Sequence, residues 1–237
     1  MRFYGLRVYD MEESIVASGL PMLKKKYTPE EFELEVYNLE KHLETDKKIL
    51  LNLAKTLTNK ELNELIKNNK DKLGFYTAVK HIKRAMNLGN AKPNSGHDCA
   101  LKGIAIHVNI EANQSFWLQW ERYHHQDTVS SMSTMHCLCK FENVEAMFNK
   151  HTDPRSIEIL NDNINKYNAV PTPENFERVI NSCPQGIELC RRVVTNYLQI
   201  KTMLNQREHH KMSTWREDFV NMTHELPLFY ELCGNVK

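Results

Sequence analysis

The sequence lacks an excess of charge of either sign, and it lacks a long apolar run. Thirty-one Lys and Arg residues oppose thirty Asp and Glu residues, which leaves a formal net charge of +1. Proteins that bind nucleic-acid polymers normally carry a basic excess, so we expect no such polymer as a partner. The sequence has no run of about eighteen apolar residues, the length that a membrane-spanning helix needs. We therefore expect no membrane contact.

The patterns of a secretory leader and of a disulfide framework are also missing. The first ten residues carry charges where a leader needs an apolar stretch. The cysteines are scattered through a chain of 237 residues, which is long enough to bury a core without cross-links. We predict reduced thiols and a cytoplasmic protein. The cysteines are Cys99, Cys137, Cys139, Cys183, Cys190 and Cys233.

Apolar residues alternate with polar ones in three segments, which predicts strands. The clearest is 104–110, where every second residue is Ile or Val, so one face of the strand should be buried. Residues 2–9 and 189–195 show weaker versions of the same pattern.

Other segments carry apolar residues at helical spacing. Residues 29–88 predict several helices, and 143–181 and 196–208 predict more. The polar run 124–136 has no period and is predicted to be a long loop. We expect the α+β class: one helix-rich domain over residues 1–237, built around a small antiparallel sheet, with 29–88 as a helical insert.

Two pairs of polar residues are predicted to share a helix face. Asn113 is a candidate cap for an aromatic helix. In that helix Gln119 and Arg122 lie three residues apart. Asn196 and Arg207 lie eleven apart, close to three helical turns. Arginine, histidine and hydroxyl groups near these positions suit an anionic ligand, although a surface loop beside buried tryptophans has the same composition.

The order of these residues resembles the flavin-dependent thymidylate synthases. In that family a Gly-His element leads into a strand ending in alanine. A helix follows, with a glutamine three residues before an Arg-His-Arg triplet, and a serine comes shortly after. The corresponding residues here are Gly96-His97, Ala112, Gln119, Arg122-Tyr123-His124 and Ser133.

The C-terminal part resembles the same family independently. The family has a proline, a strand, an asparagine, an arginine eleven residues later, and then a histidine and a tryptophan. The corresponding residues here are Pro184, Asn196, Arg207, His209 or His210, and Trp215. The resemblance covers roughly residues 95–140 and 184–220.

The resemblance implies an enzyme that moves a one-carbon unit from methylene-tetrahydrofolate to carbon 5 of a pyrimidine deoxynucleotide monophosphate. Flavin adenine dinucleotide is the implied cofactor, with folate and a nicotinamide reductant as co-substrates. The implied assembly is a homotetramer in which subunits share the flavin site.

The resemblance also assigns roles to individual residues. The implied flavin contacts are Arg122, Tyr123, His124, Asn196 and His210. The implied nucleotide contacts are Gln119, Ser133, Arg178 and Arg207. Arg207 and Ser133 are the implied catalytic residues, with Arg207 placed to polarise a pyrimidine carbonyl.

Several arginines of the family are replaced in this sequence. Met135, Ile180 and Leu198 stand where the family has arginine, His136 replaces a tyrosine, and Lys102-Gly103 replaces a Glu-His pair. Each lost arginine removes a charge-assisted contact worth roughly 1.5–3 kcal/mol. Two alternatives follow: a different pyrimidine such as deoxycytidylate, or a non-catalytic homologue that binds nucleotide or flavin.

A metal site is a further alternative, built from His136, Cys137 and Cys139 with His97 or His124. Structural zinc sites use Cys pairs separated by two to four residues, and a second pair is needed. The spacing here does not fit, so we predict no metal and place Cys137 and Cys139 on one side of a strand.

Overall fold

The computed structural model describes residues 1–92 and 95–234. The chain forms two compact units. The first, called here the sheet unit, comprises Met1–Arg7, His107–Thr195 and Gln206–Met222. The second, the helical unit, comprises the described residues of Val8–Ile106, Asn196–Asn205 and Thr223–Lys237. That residues 1–237 form one domain stays a prediction.

The strands within the described residues form one four-stranded antiparallel sheet. They are β1 (Arg2–Tyr9), β2 (Ala105–Asn113), β3 (Gln126–Ser131) and β4 (Glu188–Asn196), in the spatial order β1-β2-β4-β3. β2 has the buried face that its alternation predicts, because Ile106, Val108 and Ile110 are fully buried. The three predicted strands and the α+β class are confirmed.

The prediction that residues 124–136 form a loop is wrong, because β3 occupies Gln126–Ser131 and a short helix begins at Thr134. β3 pairs antiparallel with β4, from Gln126 opposite Thr195 to Ser131 opposite Arg191, with a bulge between Thr128 and Ser130. It lies at the end of the strand order, and most of its side chains are exposed. An edge strand with little to bury carries no apolar alternation, so the pattern did not identify it.

The described residues contain these helices: α1 (Met11–Ala17), α2 (Pro29–Thr45), α3 (Lys47–Thr56), α4 (Asn59–Asn68), α5 (Leu73–Gly89), α6 (Gln114–Trp120), α7 (Thr134–Cys137), α8 (Pro154–Ala169), α9 (Pro173–Ser182), α10 (Tyr197–Arg207), α11 (Val220–His224) and α12 (Phe229–Cys233). A π-helical segment, Thr214–Phe219, precedes α11. Residues 29–88 form four of the helices, as predicted. The helical prediction for 143–181 is correct only from residue 154, because the preceding residues form loops and one short turn.

Local capping explains where the main helices begin. Thr28 and Thr58 each accept a hydrogen bond from the backbone N–H three residues later, and Glu31 and Glu61 reciprocate. These capping boxes satisfy N–H groups that have no partner inside the helix. At α6 the Asn113 side chain accepts from the Phe116 backbone N–H at 2.9 Å, which confirms the predicted cap.

A buried polar network ties three helices of the helical unit together. The ring nitrogen Nε2 of His81 lies 3.2 Å from a carboxylate oxygen of Glu35. Arg84 donates to Nδ1 of His81, to the hydroxyl of Ser18 and to the backbone carbonyl oxygens of residues 15 and 16. α1 ends at Ala17, and the carbonyl oxygens of residues 15 and 16 accept from the Ser18 hydroxyl and the Gly19 N–H as well as from this guanidinium.

Two close approaches involve glycine. At the end of α5, Gly89 lies against the backbone carbonyl of Leu232 in α12, and a Cβ atom on it would overlap that oxygen. Gly96 has a positive φ of 74° and open space around it. Gly89 is required because the Leu232 carbonyl leaves no space for a side chain, whereas Gly96 is favoured because its φ is positive.

Two local predictions are wrong. Cys137 ends α7 and Cys139 lies in a 3-10 turn, so neither is a strand residue. Gln119 and Arg122 do not share a helix face, because α6 ends at Trp120 and Arg122 lies in the turn that follows. No helix in residues 1–92 or 95–234 is long and apolar enough to cross a membrane.

Candidate functional site

The sheet unit brings Tyr123 and Arg207 into direct contact. Tyr123 follows the turn after α6, and Arg207 is the last residue of α10. The Arg207 Nε group donates to the Tyr123 hydroxyl oxygen at 2.9 Å. That hydroxyl donates in turn to the Gln206 side-chain oxygen at 3.0 Å. The contact joins the two sequence stretches on which the family resemblance rests.

An aromatic surface supports the Arg207 guanidinium. Its central carbon lies 5.2 Å from the ring centre of Trp215 and 5.8 Å from that of Tyr123. Trp215 is fully buried and stacks on Phe116 with 4.3 Å between ring centres. A guanidinium within about 6 Å of a ring face gains cation–π energy, so the arginine is oriented by two rings and one hydrogen bond.

His210 is fixed beside Arg207 by backbone contacts. Its N–H donates to the Arg207 carbonyl oxygen at 2.9 Å, and its ring Nδ1 accepts from the Met212 N–H at 3.1 Å. Partial burial lowers the pKa of His210, and the nearby positive charges of Arg207 and Lys211 lower it further. A neutral ring with an acceptor at Nδ1 carries its proton at Nε2, which makes that atom a hydrogen-bond donor.

Two buried polar atoms next to these residues lack partners. Among the described residues, the side-chain oxygen of Gln119 and the indole Nε1 of Trp215 are buried without any hydrogen bond. The Gln119 nitrogen donates only to the sulfur of Met212, at 3.7 Å. An unsatisfied buried group costs about 1–3 kcal/mol, and a ligand reaches either atom only after a neighbouring side chain moves, because both are fully buried.

We call this group of residues the Arg207 cluster. Its members are Gln119, Tyr123, Gln206, Arg207, His210, Met212 and Trp215. Sequence reasoning named Gln119, Tyr123, Arg207 and His210 as site residues. It missed Met212, and nothing in the pattern around that residue distinguishes it from a core methionine.

Other predicted site residues of the sheet unit lie outside the cluster's contacts. Arg122 and His124 are exposed and form no side-chain hydrogen bond within the described part of the chain. Ser133 is half-buried at the start of α7, and its side chain forms no capping bond. Arg178 is exposed on α9 and pairs with Glu174 at 2.7 Å.

Asn196 belongs to the helical unit. Its side-chain oxygen accepts from the Gln199 backbone N–H at 2.9 Å and so caps the start of α10. The capping role accounts for an asparagine at this position without a ligand.

The sheet unit also contains a polar cleft of about 720 Å³. Basic side chains on its wall come from two loops, with Lys150 and His151 on one and Lys211 on the other. Met212 also lines the cleft, and the same residue contacts Gln119 and His210. The cleft and the Arg207 cluster therefore share a wall. Sequence reasoning did not identify the cleft, because its residues come from separate segments between Asn113 and Glu217.

No protein-family profile matches the chain, and no curated protein sequence matches it. Among solved structures it is similar to thymidylate synthase X from Helicobacter pylori with FAD and dUMP, with a TM-score of 0.51 and 11% identity over 66% of this chain and 82% of that one. A second structure of the H. pylori flavin-dependent enzyme, also complexed with FAD and dUMP, gives a TM-score of 0.55 and 12% identity over 73% of this chain and 92% of that one. At such identities the likeness shows the fold. The expected flavin-dependent thymidylate synthase fold is confirmed.

Proposed function

We propose that this chain is a diverged flavin-dependent thymidylate synthase that binds flavin adenine dinucleotide and a pyrimidine deoxynucleotide monophosphate. The reaction is transfer of a one-carbon unit from methylene-tetrahydrofolate to carbon 5 of the pyrimidine. The hydrogen bond between Arg207 and Tyr123 carries the proposal. It brings a nucleotide residue and a flavin residue of the family pattern to one place, although 84 positions separate them in the sequence.

The chemistry of the Arg207 cluster fits a planar nucleotide base. Nε of Arg207 is used by Tyr123, which leaves the two terminal NH₂ groups able to donate to a carbonyl oxygen. The unpartnered Gln119 oxygen is an acceptor. Together they offer a donor for a carbonyl and, once a side-chain movement exposes the buried Gln119 oxygen, an acceptor for a ring N–H. Uracil presents both groups on one edge, whereas the ring nitrogen of cytosine at that edge has no hydrogen. The pattern therefore favours deoxyuridylate over deoxycytidylate.

The same part of the chain offers groups for the flavin. Tyr123 supplies an aromatic ring, and His210 supplies an Nε2 donor. Arg122 and His124 are exposed and unpaired within the described residues, so they are accessible to an anionic cofactor. Asn196 is the remaining flavin contact of the proposal. When bound, the flavin supplies the redox chemistry of the transfer, and the protein supplies binding and orientation.

Arg207 has the main electrostatic role in this proposal. Its guanidinium polarises the pyrimidine carbonyl and stabilises negative charge that builds up on that oxygen. Ser133 and Arg178 bind the nucleotide from α7 and α9. Because the His210 ring is neutral, it does not place a second positive charge beside Arg207.

The proposal includes folate and a nicotinamide reductant as co-substrates, and a homotetramer that shares the flavin site. Sharing a site between subunits requires a closed symmetric assembly. Static light scattering of the purified protein tests the assembly. A monomeric mass at micromolar concentration contradicts both the tetramer and a shared site.

The decisive experiment is calorimetry with deoxyuridylate and deoxycytidylate, in the presence and absence of flavin adenine dinucleotide. We expect saturable binding of deoxyuridylate and weaker binding of deoxycytidylate. If neither nucleotide binds, the proposed function is wrong. If nucleotide binds without turnover of methylene-tetrahydrofolate, the chain is a non-catalytic homologue. The replacement of arginine by Ile180 favours that second candidate, because Ile180 packs against the apolar core of the sheet unit and offers no charge.

A further inference from the structure

We propose that the polar cleft of the sheet unit binds a phosphate group through Lys150 and Lys211. The cleft is outside the positions at which the family resemblance places nucleotide or flavin contacts. The inference rests on the proposed function for the identity of the whole ligand, but the phosphate chemistry is argued from the cleft itself.

The charges on the cleft wall leave two lysines uncompensated. The two acidic residues of the wall are already paired, Asp153 with Arg155 at 2.6 Å and Glu217 with Arg216 at 2.6 Å. Neither Lys150 nor Lys211 forms an ion pair within the described residues. Two ammonium groups facing one cleft repel each other, and an anion between them removes that repulsion.

Neutral donors surround the two lysines. Ser213 and Thr214 lie on the same wall as Lys211, and their hydroxyl groups form no hydrogen bond with other described residues. His151 adds an imidazole ring next to Lys150. Ser156 in the first turn of α8 also lines the wall, but its hydroxyl already donates to the Asp153 carbonyl oxygen at 2.6 Å. The N-terminus of α8 is already capped by the Asp153 carboxylate, so it is not counted as a donor. The combination of ammonium and hydroxyl groups suits the oxygens of a phosphate.

The position of the cleft fits a ligand that also reaches the Arg207 cluster. Met212 forms part of the cleft wall, and its backbone N–H and sulfur contact His210 and Gln119 respectively. The chain has Met135, Ile180 and Leu198 where the family has arginines. Met135 is exposed, and Ile180 packs against apolar residues. A bound phosphate therefore finds no arginine at these three positions. In the proposal, the cleft lysines Lys150 and Lys211, which lie on different loops, take the place of those arginines.

The phosphate has two possible sources, the nucleotide monophosphate or the pyrophosphate of the flavin cofactor. The first measurement is calorimetry with inorganic pyrophosphate alone, at low and at high sodium chloride concentration. We expect saturable binding that weakens as salt is added, because the contact is between exposed charges. Absence of saturable heat up to about 10 mM pyrophosphate overturns the proposal.

A matched pair of variants locates the binding. The double variant Lys150→Met and Lys211→Met removes both charges from the cleft. The control, Lys140→Met and Lys166→Met, removes two exposed lysines of the same unit that do not line it. We expect the cleft variant to lose roughly tenfold or more in pyrophosphate affinity, and the control to change by less than about twofold. Equal losses in both variants overturn the assignment, and thermal melts check that both fold.

Comparison of ligands with and without phosphate identifies the source. Deoxyuridylate is compared with deoxyuridine, and flavin adenine dinucleotide with riboflavin, on the wild type and the cleft variant. For each pair, the advantage is the ratio of the affinity of the phosphate-bearing ligand to that of its phosphate-free counterpart. The ligand held in the cleft is the one whose advantage becomes smaller in the cleft variant. If neither advantage shrinks, the proposal is wrong. We expect pyrophosphate binding to be lost in the cleft variant and unchanged by Arg207→Lys. This result distinguishes the cleft from the Arg207 cluster. The proposed function is a separate matter, because it fails only if nucleotide binding fails.

Discussion

The Nε group of Arg207 donates to the hydroxyl of Tyr123 at 2.9 Å. Tyr123 follows the turn after α6, and Arg207 ends α10. The contact orients the guanidinium over the Trp215 ring, and its terminal NH₂ groups have no hydrogen-bond partner among residues 1–92 and 95–234. An arginine held in this way is preorganised for a planar ligand.

Replacing Arg207 tests its role as the ligand-binding group. Arg207→Lys keeps the charge but loses the planar fork, so we expect nucleotide binding to weaken by roughly 1.5–3 kcal/mol. Arg207→Ala should lose at least as much. Calorimetry with deoxyuridylate and deoxycytidylate measures both, and Arg2→Lys, an exposed position in the same unit, is the control. If the wild type binds and neither Arg207 variant loses affinity, Arg207 is a structural residue.

The Tyr123 hydroxyl is predicted to act through Arg207. Tyr123→Phe keeps the ring and removes one hydrogen bond, so we expect nucleotide affinity to fall by about 1 kcal/mol. Combining it with Arg207→Ala should add little, because the hydroxyl then has no arginine to orient. Tyr4→Phe, which alters an exposed tyrosine of β1, is the control. Full additivity in the double variant contradicts the orienting role.

Flavin binding is predicted to be measurable but weak. Leu198 stands where the family has an arginine, so one charge-assisted contact to the cofactor is missing. Titration with flavin adenine dinucleotide, followed by quenching of flavin fluorescence, should saturate below millimolar concentration. The absence of saturation in that range ends the cofactor assignment.

A stability prediction concerns Arg84 in the helical unit. Arg84→Met removes hydrogen bonds to Ser18, to His81 and to the last carbonyls of α1. It leaves His81 Nδ1 without a donor, whereas the carbonyl oxygens of residues 15 and 16 keep the Ser18 hydroxyl and the Gly19 N–H, so we expect the free energy of unfolding to fall by about 1–3 kcal/mol. Urea unfolding measures the loss, with the exposed Lys80→Met on the same helix as control. A loss no larger than the control's means that water replaces the guanidinium.

The pH dependence of stability is predicted from two thiols, the half-buried Cys183 and the buried Cys233. Burial raises the pKa of Cys183 to about 11 and that of Cys233 to about 12, against an ordinary 9.0. Below pH 9 both the folded and the unfolded chain keep the protons. As the pH rises through 9 to 11 the unfolded chain releases them first, so the free energy of unfolding falls.

Urea unfolding between about pH 8 and about pH 10.5 tests this decline. Cys183→Ala should make the decline shallower than in the wild type, whereas Cys99→Ala, at an exposed position, should leave it unchanged. Equal slopes in the two variants mean that the Cys183 thiol does not contribute.

The sequence predicted those elements that bury a periodic apolar face. β2 was identified because its alternate residues are Ile and Val on the buried face of the sheet. β3 was missed because its residues are mostly exposed and polar, so its place in the sheet depends on backbone pairing with β4. Backbone hydrogen bonds carry no side-chain signature.

The candidate site was predictable in part for the same reason. The order of residues placed Tyr123 and Arg207 in one site, and they are in contact. Spacing alone put Arg122 on a helix face with Gln119, but the helix ends two residues too early. Lys150 meets Lys211 and Met212 in the polar cleft only through tertiary packing, which no local pattern encodes.

Gly89 has a consequence for natural variation in this chain. Its neighbour is a carbonyl oxygen of the backbone, which cannot rotate away as a side chain does. Even alanine at position 89 therefore requires α12 to shift as a whole. At Gly96 the surrounding space is open, and only the torsion angle resists substitution, so asparagine is admissible there. The two glycines therefore differ in how they can be replaced during evolution. A single substitution is tolerated at position 96, whereas position 89 can change only after the C-terminal helix α12 has shifted.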